Sequence, residues 1–106
     1  MNHNRGDVYL VLYPFDDMDS EKGRPAIIID TRDKKSLVVK VTSKDERDYD
    51  DGDIEIEYWE EAGLSKPSVA RCSHFIPLDH EKTIRPLGVL HSQDLTNVLS
   101  KLYRNL

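Results

Sequence analysis

The sequence predicts a mostly β protein, a small and strongly bent sheet or barrel of short strands with one C-terminal helix packed on it. Three observations predict this class. Short β-branched and aromatic runs alternate with turn-forming residues through most of the chain. Helical periodicity of any length appears only near the C-terminal end. No repeat, low-complexity tract or Pro/Ser/Gly-rich linker interrupts the 106 residues, so residues 1–106 read as one domain.

VYLVLY (Val8 to Tyr13) is β-branched and aromatic, with turn chemistry behind it from Pro14 to Ser20, and reads as the first strand. PAIIID (Pro25 to Asp30) reads as the second, with Pro25 tolerated at a strand's first residue because no ladder donor is lost there. SLVVKVTS (Ser36 to Ser43) is the third, and the short TRDKK between the two suits a hairpin. DIEIEY (Asp53 to Tyr58) alternates apolar and acidic residues, as a half-exposed strand does. SVARCSHFIPL (Ser68 to Leu78) is a further strand, bent near His74 or broken at Pro77. A helical turn is expected around WEEAGL, closed by Gly63. In the tail, Ser92 fits an N-cap, Asp94 suits the first turn, and Leu95, Val98, Leu99 and Leu102 recur at helical spacing.

The bulk composition narrows the function. Apolar residues make up 38% and charged residues 33%, the balance of a soluble globular domain with a modest core. No apolar run approaches the roughly 20 residues that span a bilayer, and MNHNRGDVYL carries no apolar leader, so a membrane partner is not expected. The single cysteine, Cys72, forms no internal disulfide and fits a reducing cytoplasm. A formal net charge of -5 argues against coating nucleic acid through bulk electrostatics, yet leaves room for one local cationic groove. Much of the acidity sits in KDERDYDDGD (Lys44 to Asp53), read as a solvated loop.

Several chemistries have no signal. The chain lacks a glycine-rich phosphate loop, paired Cys/His spacing and a nucleophile elbow, and its four histidines fall at unrelated spacings. No metal and no cofactor are therefore expected. What remains is polar groups at strand ends. Arg24 is clamped between Gly23 and Pro25, Thr42 and Ser43 close the third strand, and Arg71 lies among the small and apolar neighbours of SVARCSH. An arginine fork matches phosphate oxygens and keeps its charge at any cellular pH. An arginine inside a core-like strand also requires a partner. From residue chemistry alone, these groups amount to an anion-binding site.

The segments RGDVYLV, SEKGRPAIII, VVKVTSK and PSVARCS, in that order, resemble the PemK/MazF family of toxins, and IRPLGVLHSQDLTNVLSKL resembles that family's final strand and C-terminal helix. The resemblance runs over nearly the whole chain. It implies an SH3-like β-barrel with a C-terminal helix, assembled as a homodimer. It also implies a sequence-specific, metal-independent endoribonuclease acting on single-stranded RNA, the toxin of a type II toxin–antitoxin pair restrained by a cognate antitoxin. Arg24 matches the family's catalytic arginine, Glu21 the acidic residue just upstream, and Thr42 with Ser43 the threonine–serine pair lining the active site. Arg71 matches an arginine that contacts the scissile phosphate in the Kid/PemK branch. Where that branch has an aspartate after the arginine–cysteine pair, this chain has Ser73, and a loop histidine is replaced by Ser20. The general base is thus unassigned, with His74 beside Ser73 as a candidate. The linker Tyr13 to Gly23 is expected to act as a lid that the antitoxin displaces. Ser73 and the negative charge favour an alternative, a catalytically silent module on the same barrel that holds RNA or a partner peptide.

Overall fold

Six strands run through the described residues: β1 (Asp7–Pro14), β2 (Glu21–Arg32), β3 (Lys35–Ser43), β4 (Asp53–Ile56), β5 (Ser68–Asp79) and β6 (Thr83–Val89). A 3-10 turn (His80–Lys82) separates β5 from β6, and helix α1 (Ser92–Asn105) follows β6. The computed structural model describes residues 3–14, 21–44 and 51–105. The middle of the expected lid (residues 15–20, with Ser20) and most of the acidic segment (45–50) lie outside the described residues. All strands join one antiparallel sheet in the order β4-β5-β3-β2-β1-β6. The mostly β class with a C-terminal helix is as expected, and the sheet stays open between its edges β4 and β6.

Both faces of the sheet are buried, which is why its runs are continuously apolar rather than alternating. Val8, Ile27, Ile29, Val39, Val41, Ala70 and Cys72 form one face, packed on Val98 and Leu102 of the helix. Tyr9, Val11, Tyr13, Ala26, Ile28, Val38 and Leu78 form the other. Cys72 is a free, fully buried thiol, packing material as its neighbours imply.

The strand ends differ from the sequence reading in instructive ways. β2 begins at Glu21, not Pro25, so Arg24 sits inside the strand opposite Val11 rather than at its mouth. Pro25 is accommodated because the pairing of β2 with β3 starts only at Ala26, leaving one edge of the strand without a ladder to break. The β2–β3 hairpin closes over Asp33 and Lys34, with Asp33 at φ 50, a conformation short polar side chains tolerate. β4 stops at Ile56 because the Glu57 and Tyr58 N–H groups turn away to donate to the Asp94 carboxylate, at 3.0 and 2.9 Å. β5 is bent where expected: Val39 faces Phe75, but the next residue, Lys40, faces Arg71 rather than His74. Pro77 does not break it and lies opposite Leu37.

The turn after β4 covers part of the gap between the sheet edges. Leu64 N–H bonds to the Trp59 carbonyl and Gly63 N–H to that of Glu60, the paired bonds of a Schellman closure, with Gly63 at φ +80. The Ala62–Gly63 backbone lies directly on Leu87–Gly88 of β6, where a Cβ on Gly63 would stand 2.0 Å from the Leu87 oxygen. The helix cap is His91 rather than Ser92: its Nδ1 accepts the Gln93 N–H at 3.0 Å and its carbonyl accepts that of Leu95.

Candidate active site

Cross-strand partners in an antiparallel sheet share a face, and every second residue along a strand returns to it. Val11 pairs with Arg24, Ala26 with Lys40, Lys40 with Arg71, Thr42 with Val69, and Arg71 with Asp53. Arg24, Lys40, Thr42, Arg71 and Asp53 therefore share the sheet face turned away from the helix. The second apolar cluster covers one part of that face, and these polar groups occupy the rest.

Within this surface the predicted residues fall into three places. Arg24, Thr42 and Ser43 line one cavity of about 190 Å³ together with Pro25, Val41, Leu64, Ser65, Lys66 and Ser68. Thr42 is buried and Arg24 half-buried, so a hydroxyl and a guanidinium meet in a partly dried pocket. Ser73 and His74 line a second cavity of about 240 Å³ with Tyr13, Pro14, Lys40, Phe75 and Ile76. Tyr13 closes its floor by donating its hydroxyl to the His74 carbonyl at 3.1 Å, and Lys40 lies over the Tyr13 ring at 5.7 Å. Arg71 lines neither cavity. Its Nε donates to Asp53 Oδ1 at 3.1 Å, with the two side chains only 12% and 9% exposed. Glu21 opens β2 opposite Pro14, and its side chain lies outside the described set.

Four contributors were not among the expected site residues: Asp53, Ser65, Lys66 and Ser68. Asp53 closes the acidic segment and, as expected, begins β4, but its pairing with Arg71 was not anticipated. The requirement that a core arginine find a partner, applied to the neighbouring alternating strand, was the signal available. The rim residues Ser65 and Lys66 come from the segment ahead of β5, which carries no recognisable motif, and Ser68 opens β5 itself. Among the described residues, no three His, Cys, Asp or Glu side chains are grouped as a metal site requires. No helix among the described residues is long and apolar enough to cross a membrane.

No curated protein matches the sequence. Solved structures share the fold. The Mycobacterium tuberculosis toxin MazF-mt6 superposes with a TM-score of 0.69 at 18% identity, over 92% of this chain and 93% of its own. An endoribonuclease from a mycobacterial species gives 0.73 at 14% identity, over 98% and 91%. An endoribonuclease in complex with its cognate antitoxin, also mycobacterial, gives 0.69 at 14%, over 94% and 90%. Residues 4–106 match the family described as PemK-like, MazF-like toxin of type II toxin-antitoxin system, and the chain belongs to that family.

Proposed function

We propose that the protein is the toxin of a type II toxin–antitoxin pair, a cytoplasmic endoribonuclease that cuts single-stranded RNA without a metal ion. The observation that carries this reading is the cavity in which Arg24 of β2 meets Thr42 and Ser43 of β3. Family membership supports it, as do structural neighbours named as endoribonucleases.

The chemistry follows from what such a cavity can do. The ribose 2′-hydroxyl attacks the adjacent phosphorus, a base takes its proton, and a P–O2′ bond forms as the P–O5′ bond breaks. The leaving oxygen gains a proton, giving a 2′,3′-cyclic phosphate and a 5′-hydroxyl. Negative charge grows on the non-bridging oxygens in the transition state. The Arg24 guanidinium and the Thr42 hydroxyl are donors already positioned for that charge, and Ser43 adds a further hydroxyl at the wall. One preorganised donor of this kind contributes roughly 2.7–4 kcal/mol in comparable oxyanion sites. DNA lacks the attacking hydroxyl, so the site selects RNA. Arg71, held by Asp53, supplies a second fixed cation on the same face for the RNA backbone. Ser73 and His74 border the strand's path in the adjacent cavity.

The partners in this reading are RNA, a cognate antitoxin and a second copy of the chain. A domain of this size buries limited apolar area, and a two-fold dimer adds to it. Arg24→Ala tests the reading: cleavage of a long unstructured RNA should fall about 10²- to 10³-fold, the loss typical of one transition-state donor, with the folded state retained. Ser73 at the position of a family aspartate favours the second reading, a silent binding module. Under that reading neither wild type nor Arg24→Ala cuts RNA, and expression of either leaves growth unchanged.

A further inference from the structure

The cavity that holds Arg24 has a second cation. Lys66 lines it from the segment ahead of β5, while Arg24 enters from β2. Three constraints fix the backbone beneath Lys66. Pro67 follows it and restricts it to extended conformations. The Ser68 hydroxyl donates to the Lys66 carbonyl at 2.8 Å. The Lys44 N–H at the end of β3 donates to the Pro67 carbonyl at 2.9 Å, tying the segment to the strand that carries Thr42 and Ser43. The residue is exposed, and its ammonium has no ion-pair partner among the described residues. A cation held at a cavity rim with no carboxylate to neutralise it is placed for an incoming anion.

We infer that Lys66 is a substrate-positioning residue that binds an RNA phosphate next to the one being cut. This rests on the endoribonuclease reading of the Arg24 cavity. The division of labour follows from the two side chains. Arg24 is half-buried and presents a planar fork that grips two oxygens of one phosphate, which suits the reacting group. Lys66 is a compact, hydrated point charge on a flexible stem in solvent, which suits ground-state attraction to a phosphate that does not react. Its contribution belongs in KM and in the salt dependence of binding. A residue acting at the transition state alters kcat instead.

The test compares wild type, Lys66→Met and Lys66→Arg. Methionine keeps the unbranched stem without the charge, and the exposed site leaves folding undisturbed, which thermal melting verifies. Cleavage of an unstructured RNA is followed at several RNA concentrations. In parallel, binding of a mixed-sequence single-stranded oligonucleotide with 2′-O-methyl riboses, which cannot be cut, is measured from low to moderate salt. Lys66→Met should raise KM several-fold with kcat unchanged, and the slope of log K against log salt should flatten by about 0.7, one phosphate contact on a single strand. Lys66→Arg should restore both. Unchanged KM and slope in Lys66→Met would overturn the assignment, as would a fall in kcat alone. So would a loss of antitoxin affinity with oligonucleotide binding intact, because the residue would then serve the acidic partner. A wild type that binds the oligonucleotide but cuts no RNA would sink the endoribonuclease reading, leaving the salt slope to judge Lys66 as a phosphate contact.

Discussion

Arg71 shows how a residue can be singled out from sequence while its surroundings stay hidden. An arginine between Ala70 and Cys72 in a core-like strand needed a partner, and the partner is Asp53, directly opposite on β4. The acidic run that ends at Asp53 masked it, since charge runs are usually solvated faces. Asp53→Ala removes the carboxylate to which the mostly buried Arg71 guanidinium donates. Urea unfolding should show a loss of about 3 kcal/mol, and Asp53→Leu with Arg71→Leu together should recover most of it. A second buried group sets a pH dependence. His3 stacks on His80 at 4.0 Å and lies tilted against Tyr9 at 4.7 Å, beside Thr83, and its Nδ1 has no partner among the described residues. Burial, and then the neighbouring His80, push its pKa below the ordinary 6.5, with Asp7 opposing. The unfolded chain takes up a proton near pH 6.5 that the folded chain refuses, so this contribution is complete above that pH and lost as pH falls below it. Urea midpoints measured down the acid side should decline less steeply in His3→Phe than in wild type.

At the scale of elements, β1, β2, β3 and β5 were legible from β-branched and apolar runs, β4 from its alternation, and the helix from leucines at helical spacing. By contrast β6 (TIRPLGV), interrupted by Pro86, was legible only through the family resemblance. The ends were not legible, because long-range partners decide them. β4 stops where Asp94, far along the chain, takes the N–H groups of Glu57 and Tyr58. β2 starts early because Pro14 and Tyr13 pair with Glu21 and Lys22, so the ends of the expected lid, Tyr13–Pro14 and Glu21–Gly23, belong to a β hairpin. The Schellman turn was legible from Gly63 itself, but the backbone contact that makes glycine necessary there was not. Gly63→Ala combines a left-handed φ of +80 with a Cβ driven into the Leu87 carbonyl, so the turn must lift off β6. It should lower stability by more than 3 kcal/mol, beyond the usual cost of a point substitution, and a melting temperature within a few degrees of wild type would contradict that packing.

For the molecule as a whole, one sheet face carries the helix and the other carries Arg24, Thr42, Lys40 and Arg71. A net charge of -5 thus coexists with a face whose strands present three cations. Under the proposed function that face would take an extended acidic antitoxin segment as well as RNA, the two competing for the same groups. Ordering such a segment costs roughly 2–5 kcal/mol, offset by contacts along its length. RNA and antitoxin should therefore compete, with the apparent antitoxin affinity falling as a non-cleavable oligonucleotide is added. A complex in which the oligonucleotide binds antitoxin-loaded protein as tightly as free protein would place inhibition on a remote surface. The central claim is that the Arg24 cavity cuts RNA through the ribose hydroxyl. Its most direct measurement is the end chemistry of a long unstructured RNA incubated with the purified protein in EDTA. The account predicts discrete fragments ending in 2′,3′-cyclic phosphate and beginning with 5′-hydroxyl; intact RNA, or fragments beginning with 5′-phosphate, would contradict it.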